Sequence, residues 1–244
     1  MSRARKPPPT LERLTEQLVN QAHACGLDAH LLLPPASAAM MMLGAGAQYQ
    51  PILAGLARLA DPVDALQSLF HTETACLPYL AGHLNELCSL LTHSDRALTT
   101  KAVSGMLDVL AGADLPNLVE TPAVAGDLLG PLYTQITSKA ARTARGAFYT
   151  PPSLAAVLAQ LVDVEVGGSF GDPCCGTGGL AIAAVRGLRA RGRFPEMIHW
   201  NLQDIDPLAV ALAGVQLAAH GIPWVTLTCG NSLTDPAQLR QHSG

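Results

Sequence analysis

The stretch Asp172-Pro173-Cys174-Cys175-Gly176-Thr177-Gly178-Gly179 sets an acid and a proline directly before a Gly-x-Gly turn. Glycines at 176 and 178 let the backbone come close to a ligand, and a helix starting behind them offers N–H groups without intrahelical partners. Two further acids, Asp204 and Asp206, close the strand-like run Ile198 to Asp204. An acid at the end of the second strand of a βαβ unit accepts hydrogen bonds from a ribose diol. The turn has neither the Gly-x-Gly-x-x-Gly spacing of dinucleotide sites nor the Gly-Lys-Ser/Thr ending of a phosphate-gripping loop. These departures point to a nucleoside-containing ligand without a pyrophosphate, bound at the C-terminal ends of parallel strands.

Positioning such a site requires short strands alternating with helices, and the chain has that pattern after about Arg145. Pro151-Pro152 precede a helix carrying Leu154, Val157, Leu158, Leu161 and Val162. The run Gly168 to Asp172 enters the turn, Leu180 to Arg191 reads as helix, Ile198 to Asp204 as strand, Pro207 to His220 as helix and Pro223 to Cys229 as strand. This alternation predicts a parallel α/β unit. The preceding residues read differently. Leu11, Leu14, Leu18 and Ala22 recur at helical spacing behind Thr10 as an N-cap. Pro34-Pro35 is read as ending an element, Asp61-Pro62 as a capped helix start, and Thr121-Pro122 as the start of a helix running to Ile136. The expected organisation is a flexible tail over 1–9, a helical N-terminal domain over 10–138, and the first half of a Rossmann-like α/β sheet over 139–244.

Composition narrows the classes. The 244 residues carry 15 Lys+Arg against 19 Asp+Glu, a formal net charge of −4, which excludes a protein that grips nucleic acid by overall charge. With 49% hydrophobic and 14% charged residues the chain is not disordered. Its most apolar window, Ala29 to Ala47, is broken by prolines and glycines, so no membrane span is expected and the protein reads as soluble and cytoplasmic. No Cys-x-x-Cys pair occurs, so no metal site is expected; Cys174-Cys175 read as buried structural thiols. Arg186, Arg189, Arg191 and Arg193 suit either DNA phosphates or a solvated helix end, the second being favoured; Lys139, Arg142 and Arg145 are the better DNA candidates.

Four stretches occur in a fixed order: Gly146-Ala147-Phe148-Tyr149-Thr150-Pro151, Asp172 to Gly179, Asp204-Ile205-Asp206-Pro207, and Gly230-Asn231-Ser232-Leu233. Together they resemble the adenine-specific (N6) DNA methyltransferases related to the modification subunits of type I restriction systems. Upstream, Asp127 to Tyr133 resembles the helix that precedes the Phe-Tyr-Thr-Pro segment in those proteins, so the resemblance covers about residues 120–235. It implies S-adenosyl-L-methionine as cofactor and DNA as partner. Phe148, Tyr149, Thr150 and Pro151 would line the pocket for its methionine part. Asp172, Pro173, Gly176, Thr177 and Gly178 would hold its amino-acid end and backbone, and Asp204 its ribose hydroxyls. Asn231 stands where many relatives have Asp facing the cofactor's adenine amino group, and keeps an acceptor oxygen. Read without the resemblance, Phe148 and Tyr149 also suit a core, and Asp206 suits a helix cap.

The same family holds its target base with an Asp/Asn-Pro-Pro-Tyr/Phe segment. None of the Pro-Pro pairs in this chain, at Lys6-Pro7-Pro8-Pro9, Leu33-Pro34-Pro35-Ala36 and Thr150-Pro151-Pro152-Ser153, has that form, and the sequence stops at Gly244 before the position where it is expected. The expectation is a catalytic segment supplied from elsewhere: either a second polypeptide completes the sheet, or the chain dimerises, or it is a truncated gene product, with a separate specificity subunit as a further partner. No catalytic residue is assigned in this chain. The rival expectations are a non-catalytic S-adenosylmethionine- or DNA-binding remnant, and a methyltransferase acting on RNA or protein.

Overall fold

The computed structural model describes residues 10–46, 48–137 and 150–234. Lys139, Arg142, Arg145, Phe148 and Tyr149 lie outside the described residues.

The helical layer contains α1 (Leu11–His23), α2 (Leu33–Gly44), α3 (Tyr49–Ala57), α4 (Pro62–Cys76), α5 (Leu84–Leu90), α6 (Arg96–Gly112), α7 (Leu115–Val119) and α8 (Leu129–Ile136). Caps follow local chemistry. Thr10 Oγ1 accepts from Arg13 N at 3.3 Å, and Asp61 Oδ1 accepts from Val63 N and Asp64 N at 3.1 and 3.0 Å. Two expectations are corrected. Pro34 and Pro35 do not end an element; they occupy the first turn of α2, where a missing N–H costs nothing. The helix expected from Thr121 begins only at Leu129, because Ala125 and Gly126 take φ of +49° and +87° and break the run.

The α/β part follows as α9 (Pro152–Gln160), β1 (Ser169–Asp172), α10 (Gly179–Ala190), β2 (His199–Asp204), α11 (Pro207–Ala219) and β3 (Val225–Cys229). The strands form one parallel sheet in the order β1-β2-β3, with Phe170 opposite Trp200 and Trp200 opposite Val225. Trp200 is fully buried, lies 4.7 Å from the Phe170 ring, and donates its Nε1–H to Pro195 O at 2.9 Å. Among the described residues β1 is paired on one side only.

Helix α11 joins the two parts. It is apolar around its whole circumference, and Ala209 through Leu217 are all buried, as expected of a helix enclosed on every side. Leu212 and Val215 belong to the helical core, while Ala213 and Leu217 belong to the core under the sheet. Its tightest crossing is with α2, where a Cβ on Gly44 would fall 2.1 Å from Ala219 O. Among the described residues no helix is long and apolar enough to cross a membrane.

The cysteine expectation is corrected in part. Cys175 is buried, but Cys174 is exposed, as are Cys76 and Cys229. The four arginines of α10 and its exit are committed to protein partners. Arg186 binds Glu120 with two hydrogen bonds, Arg189 pairs with Glu196, Arg191 donates to Val162 O, and Arg193 pairs with Asp163.

Candidate functional site

The Gly-x-Gly turn lies where β1 ends and α10 begins. Gly176 and Gly178 have φ of +53° and +90°, left-handed conformations that glycine adopts without strain. Gly178 is the N-cap of α10 and backs onto α11, where an added Cβ would sit 3.2 Å from Ala213 Cβ. The turn is anchored to the next strand, since Cys175 N donates to Gln203 O at 2.9 Å and Gly176 N to Asp204 Oδ2 at 2.7 Å.

Asp204 therefore ties two loops together. Its second oxygen accepts from Asp206 N at 3.0 Å, and its carbonyl accepts from Gly230 N at 2.9 Å, joining the loop after β3. Each carboxylate oxygen has two lone pairs, so acceptor capacity remains on both. Asp206 caps α11 through Leu208 N and Ala209 N and also accepts from Tyr133 Oη of α8 at 2.5 Å. Burial pushes the Asp172 carboxyl above the usual range, against the pull of a hydrogen bond from Cys174 N, and the nearby Asp204 charge adds to the rise. Burial also raises the Cys175 thiol well above its ordinary range, so it stays a protonated, unreactive thiol. Asn231 Oδ1, the acceptor expected to face the ligand, accepts from Leu233 N at 3.0 Å.

These loops enclose a cleft of about 830 Å³ at the C-terminal ends of the strands, within the range of small-ligand sites. Thr150, Pro151, Asp172, Pro173, Gly176, Thr177, Asp204 and Asn231 all line it. Gly178 lies behind it at the helix cap. Ile205 is 58% exposed and Leu233 90% exposed, giving the rim two apolar faces. The described lining includes four carboxylates, Asp127, Asp172, Asp204 and Asp206, and no Lys, Arg or His. Such a lining repels a phosphate and favours a cation. A second cavity of about 900 Å³, on the other side of Ile205 and Asp206, has no glycine turn in its wall.

Two contributors were not assigned to the site from sequence. Asp127, at the entry to α8, accepts on Oδ1 from Gly130 N and from Gln216 Nε2, both at 2.8 Å. Gln216 also donates to Thr177 O at 2.7 Å and accepts from Leu129 N at 3.2 Å. The available signal was Gln216 itself, the one polar side chain inside the apolar run of α11.

With this geometry in view, residues 124–243 match the family model described as N-6 DNA Methylase. That segment is similar to the N-6 DNA methylase family. It coincides closely with the stretch over which the four motifs carried the resemblance. Over 76 residues the chain is 38% identical to the Type I restriction enzyme MjaIX methylase subunit of Methanocaldococcus jannaschii, covering 31% of this chain and 13% of that protein. Over 102 residues the chain is 31% identical to the Type II methyltransferase M.VspI of a Vibrio species, covering 41% of this chain and 24% of that protein. The matched stretches thus span less than a quarter of either relative's length. The type I restriction-modification system methyltransferase subunit from Streptococcus thermophilus superposes with a TM-score of 0.51, over 96% of this chain and 61% of its own, at 14% identity. At that identity the likeness speaks for the fold alone: mostly helical, with a small three-stranded parallel sheet of partial Rossmann-like form.

Proposed function

We propose that this chain forms the S-adenosylmethionine-binding part of an adenine-N6 DNA methyltransferase of a restriction-modification system. The observation that carries the reading is the all-acidic cleft at a Gly-x-Gly turn that is hydrogen-bonded to Asp204. S-adenosylmethionine bears a sulfonium and an ammonium and no phosphate, so its charge suits this lining, and the cleft volume accommodates a ligand of that size. When bound, it supplies a methyl group on a sulfonium leaving group. The chain's own residues bind and orient. Asp204 accepts from the ribose hydroxyls with its remaining lone pairs, the first turn of α10 offers N–H groups to the amino-acid carboxylate, and Ile205 offers an apolar face to the flat ring. Thr150 and Pro151 close the methionine side.

The target base must be drawn out of the duplex and held, and no Asx-Pro-Pro-aromatic segment occurs in these 244 residues. We assign that task to a further polypeptide segment seated on the free side of β1. Two features support it. The β1 edge has unpaired backbone groups on that side among the described residues. Helix α9, which packs on α10, and the loop after it expose Leu154, Val157, Leu158 and Leu161, the last 78% exposed, at a helical i, i+3, i+4, i+7 spacing. Contact with DNA and with a specificity subunit belongs to the same proposal.

The test is calorimetric titration of the purified chain with S-adenosylmethionine, with Asp204→Ala alongside, followed by transfer of labelled methyl to adenine in DNA after neighbouring gene products are added. Binding by the wild type, weakened in the variant, supports the cofactor reading. A folded wild-type chain that does not bind overturns it. Binding without transfer under every combination supports the non-catalytic alternative.

A further inference from the structure

Asp127 lines the cleft between the start of α8 and the start of α10. Its Oδ1 is occupied by two neutral donors, Gly130 N and Gln216 Nε2. Its Oδ2 accepts from no described donor, and is not among the buried polar atoms sealed away without a partner; the residue keeps partial exposure. Two glycines make room for it. A Cβ on Gly130 would fall 2.5 Å from Oδ2 and 2.6 Å from Oδ1, and a Cβ on Gly179 would fall 2.8 Å from Oδ2. A side chain at either glycine would have to displace this carboxylate.

Among the described residues no counter-charge faces it. The described groups that favour its charged form are the amide of Gln216 and the N–H of Gly130, and burial pushes its carboxyl up to about 6. The other titratable groups described in the cleft are the acids Asp172, Asp204 and Asp206 and the thiols of Cys174 and Cys175. Enclosed carboxylates are ordinarily matched by a cation. Here the only direction left open is the cleft. A zwitterionic amino-acid end placed at the start of α10 would set its carboxylate against the helix N–H groups and its ammonium beside Asp127, as a charge-assisted hydrogen bond.

We propose that Asp127 Oδ2 receives the ammonium of the cofactor's amino-acid end, so that α8, an element outside the sheet, recognises the zwitterion. The inference rests on the S-adenosylmethionine reading above, and the ligands chosen for the test separate the two. S-adenosylhomocysteine carries the zwitterion without the sulfonium charge, its deaminated analogue lacks only the ammonium, and 5′-methylthioadenosine lacks the whole amino-acid end. Each is titrated calorimetrically into wild type and Asp127→Asn. The variant keeps an oxygen for Gly130 and Gln216 and turns only the cleft-facing atom into an NH₂ group.

S-adenosylhomocysteine is expected to bind Asp127→Asn about 10- to 100-fold more weakly, the size of a lost hydrogen bond between charged groups. Methylthioadenosine is expected to bind both proteins within about 2-fold, and the deaminated analogue to bind both alike, because neither brings the ammonium that Asp127 would hold. Equal losses for S-adenosylhomocysteine and methylthioadenosine would mean that Asp127 only shapes the cleft, and would overturn the proposal, as would no loss at all. If the variant does not fold, wild type decides: equal affinity for S-adenosylhomocysteine and its deaminated analogue overturns the proposal. If wild type binds none of the three, the proposed function fails first and this inference with it.

Discussion

Replacing Asp204 by alanine removes one carboxylate that two loops share. Gly176 N loses its acceptor at 2.7 Å and Asp206 N loses its acceptor at 3.0 Å. Hydrogen bonds to charged acceptors contribute about 1.5–3 kcal/mol each, but both N–H groups border the cleft, and water entering the vacated space recovers part of that. The expected net loss of stability is about 1–3 kcal/mol, or a fall in Tm of about 2–12 °C for a chain of this length. Asn at the same position keeps one oxygen and turns an NH₂ group toward the other donor, so Asp204→Asn should fall between wild type and Ala. Cofactor affinity should drop separately, by about 10- to 100-fold, as the ribose diol loses a charged acceptor. Differential scanning calorimetry reads the first effect and isothermal titration the second. A Tm within about 1 °C of wild type would refute the claim that this carboxylate holds the glycine turn, given the hydrogen-bond magnitudes above. A lowered Tm with unchanged affinity would refute its ribose role while leaving the structural role standing.

Other outcomes follow from single features. In the unliganded protein the raised Asp127 carboxyl, about 6 against an ordinary 3.8, means that the folded state holds this proton more tightly than the unfolded state. Stability should therefore fall as pH rises from about 4 through 6 and level off above, by up to about 3 kcal/mol. Urea unfolding of wild type minus Asp127→Asn isolates that slope, and a flat difference contradicts the burial argument. Gly44→Ala drives a Cβ into the backbone of Ala219, whereas a Cβ on Gly214 meets only the ends of the Leu227 and Leu80 side chains at 2.6 Å. Gly44→Ala should thus cost at least about 1–3 kcal/mol and Gly214→Ala less, in the same denaturation assay. Trp200→Ala, at a site with no exposed area, should cost about 3–5 kcal/mol. Val157→Glu with Leu161→Glu, both on the exposed face of α9 or just beyond it, should change stability by under about 0.5 kcal/mol in the same denaturation assay.

The parts of this protein legible in sequence are those whose cause is local. A turn that needs positive φ at 176 and 178 calls for glycine at those positions, an acid before a proline caps α11, and strands alternating with helices dictate a parallel sheet. Where local reading erred, a neighbour decided. Pro34 and Pro35 read as a stop, yet α2 begins on them, and the helix expected at Thr121 waits for a chain reversal at Ala125 and Gly126. The exposed stripe on α9 is periodic like any core helix, and only the sheet's extent shows that little of the described chain covers it.

Asp127 marks the boundary between the two kinds of information. Its sequence context places it within a helix expected from Thr121 and assigns it no role. Its role depends on Gln216, 89 positions later, and on the backbone of Gly179 closing over it. The sequence alone determined the glycine turn, the paired acids and the family they resemble, because backbone conformation and capping are set within a few residues. Tertiary structure alone decided which acid faces the cleft without a counter-charge among the described residues, because burial and electrostatic pairing depend on every element that packs around the carboxylate.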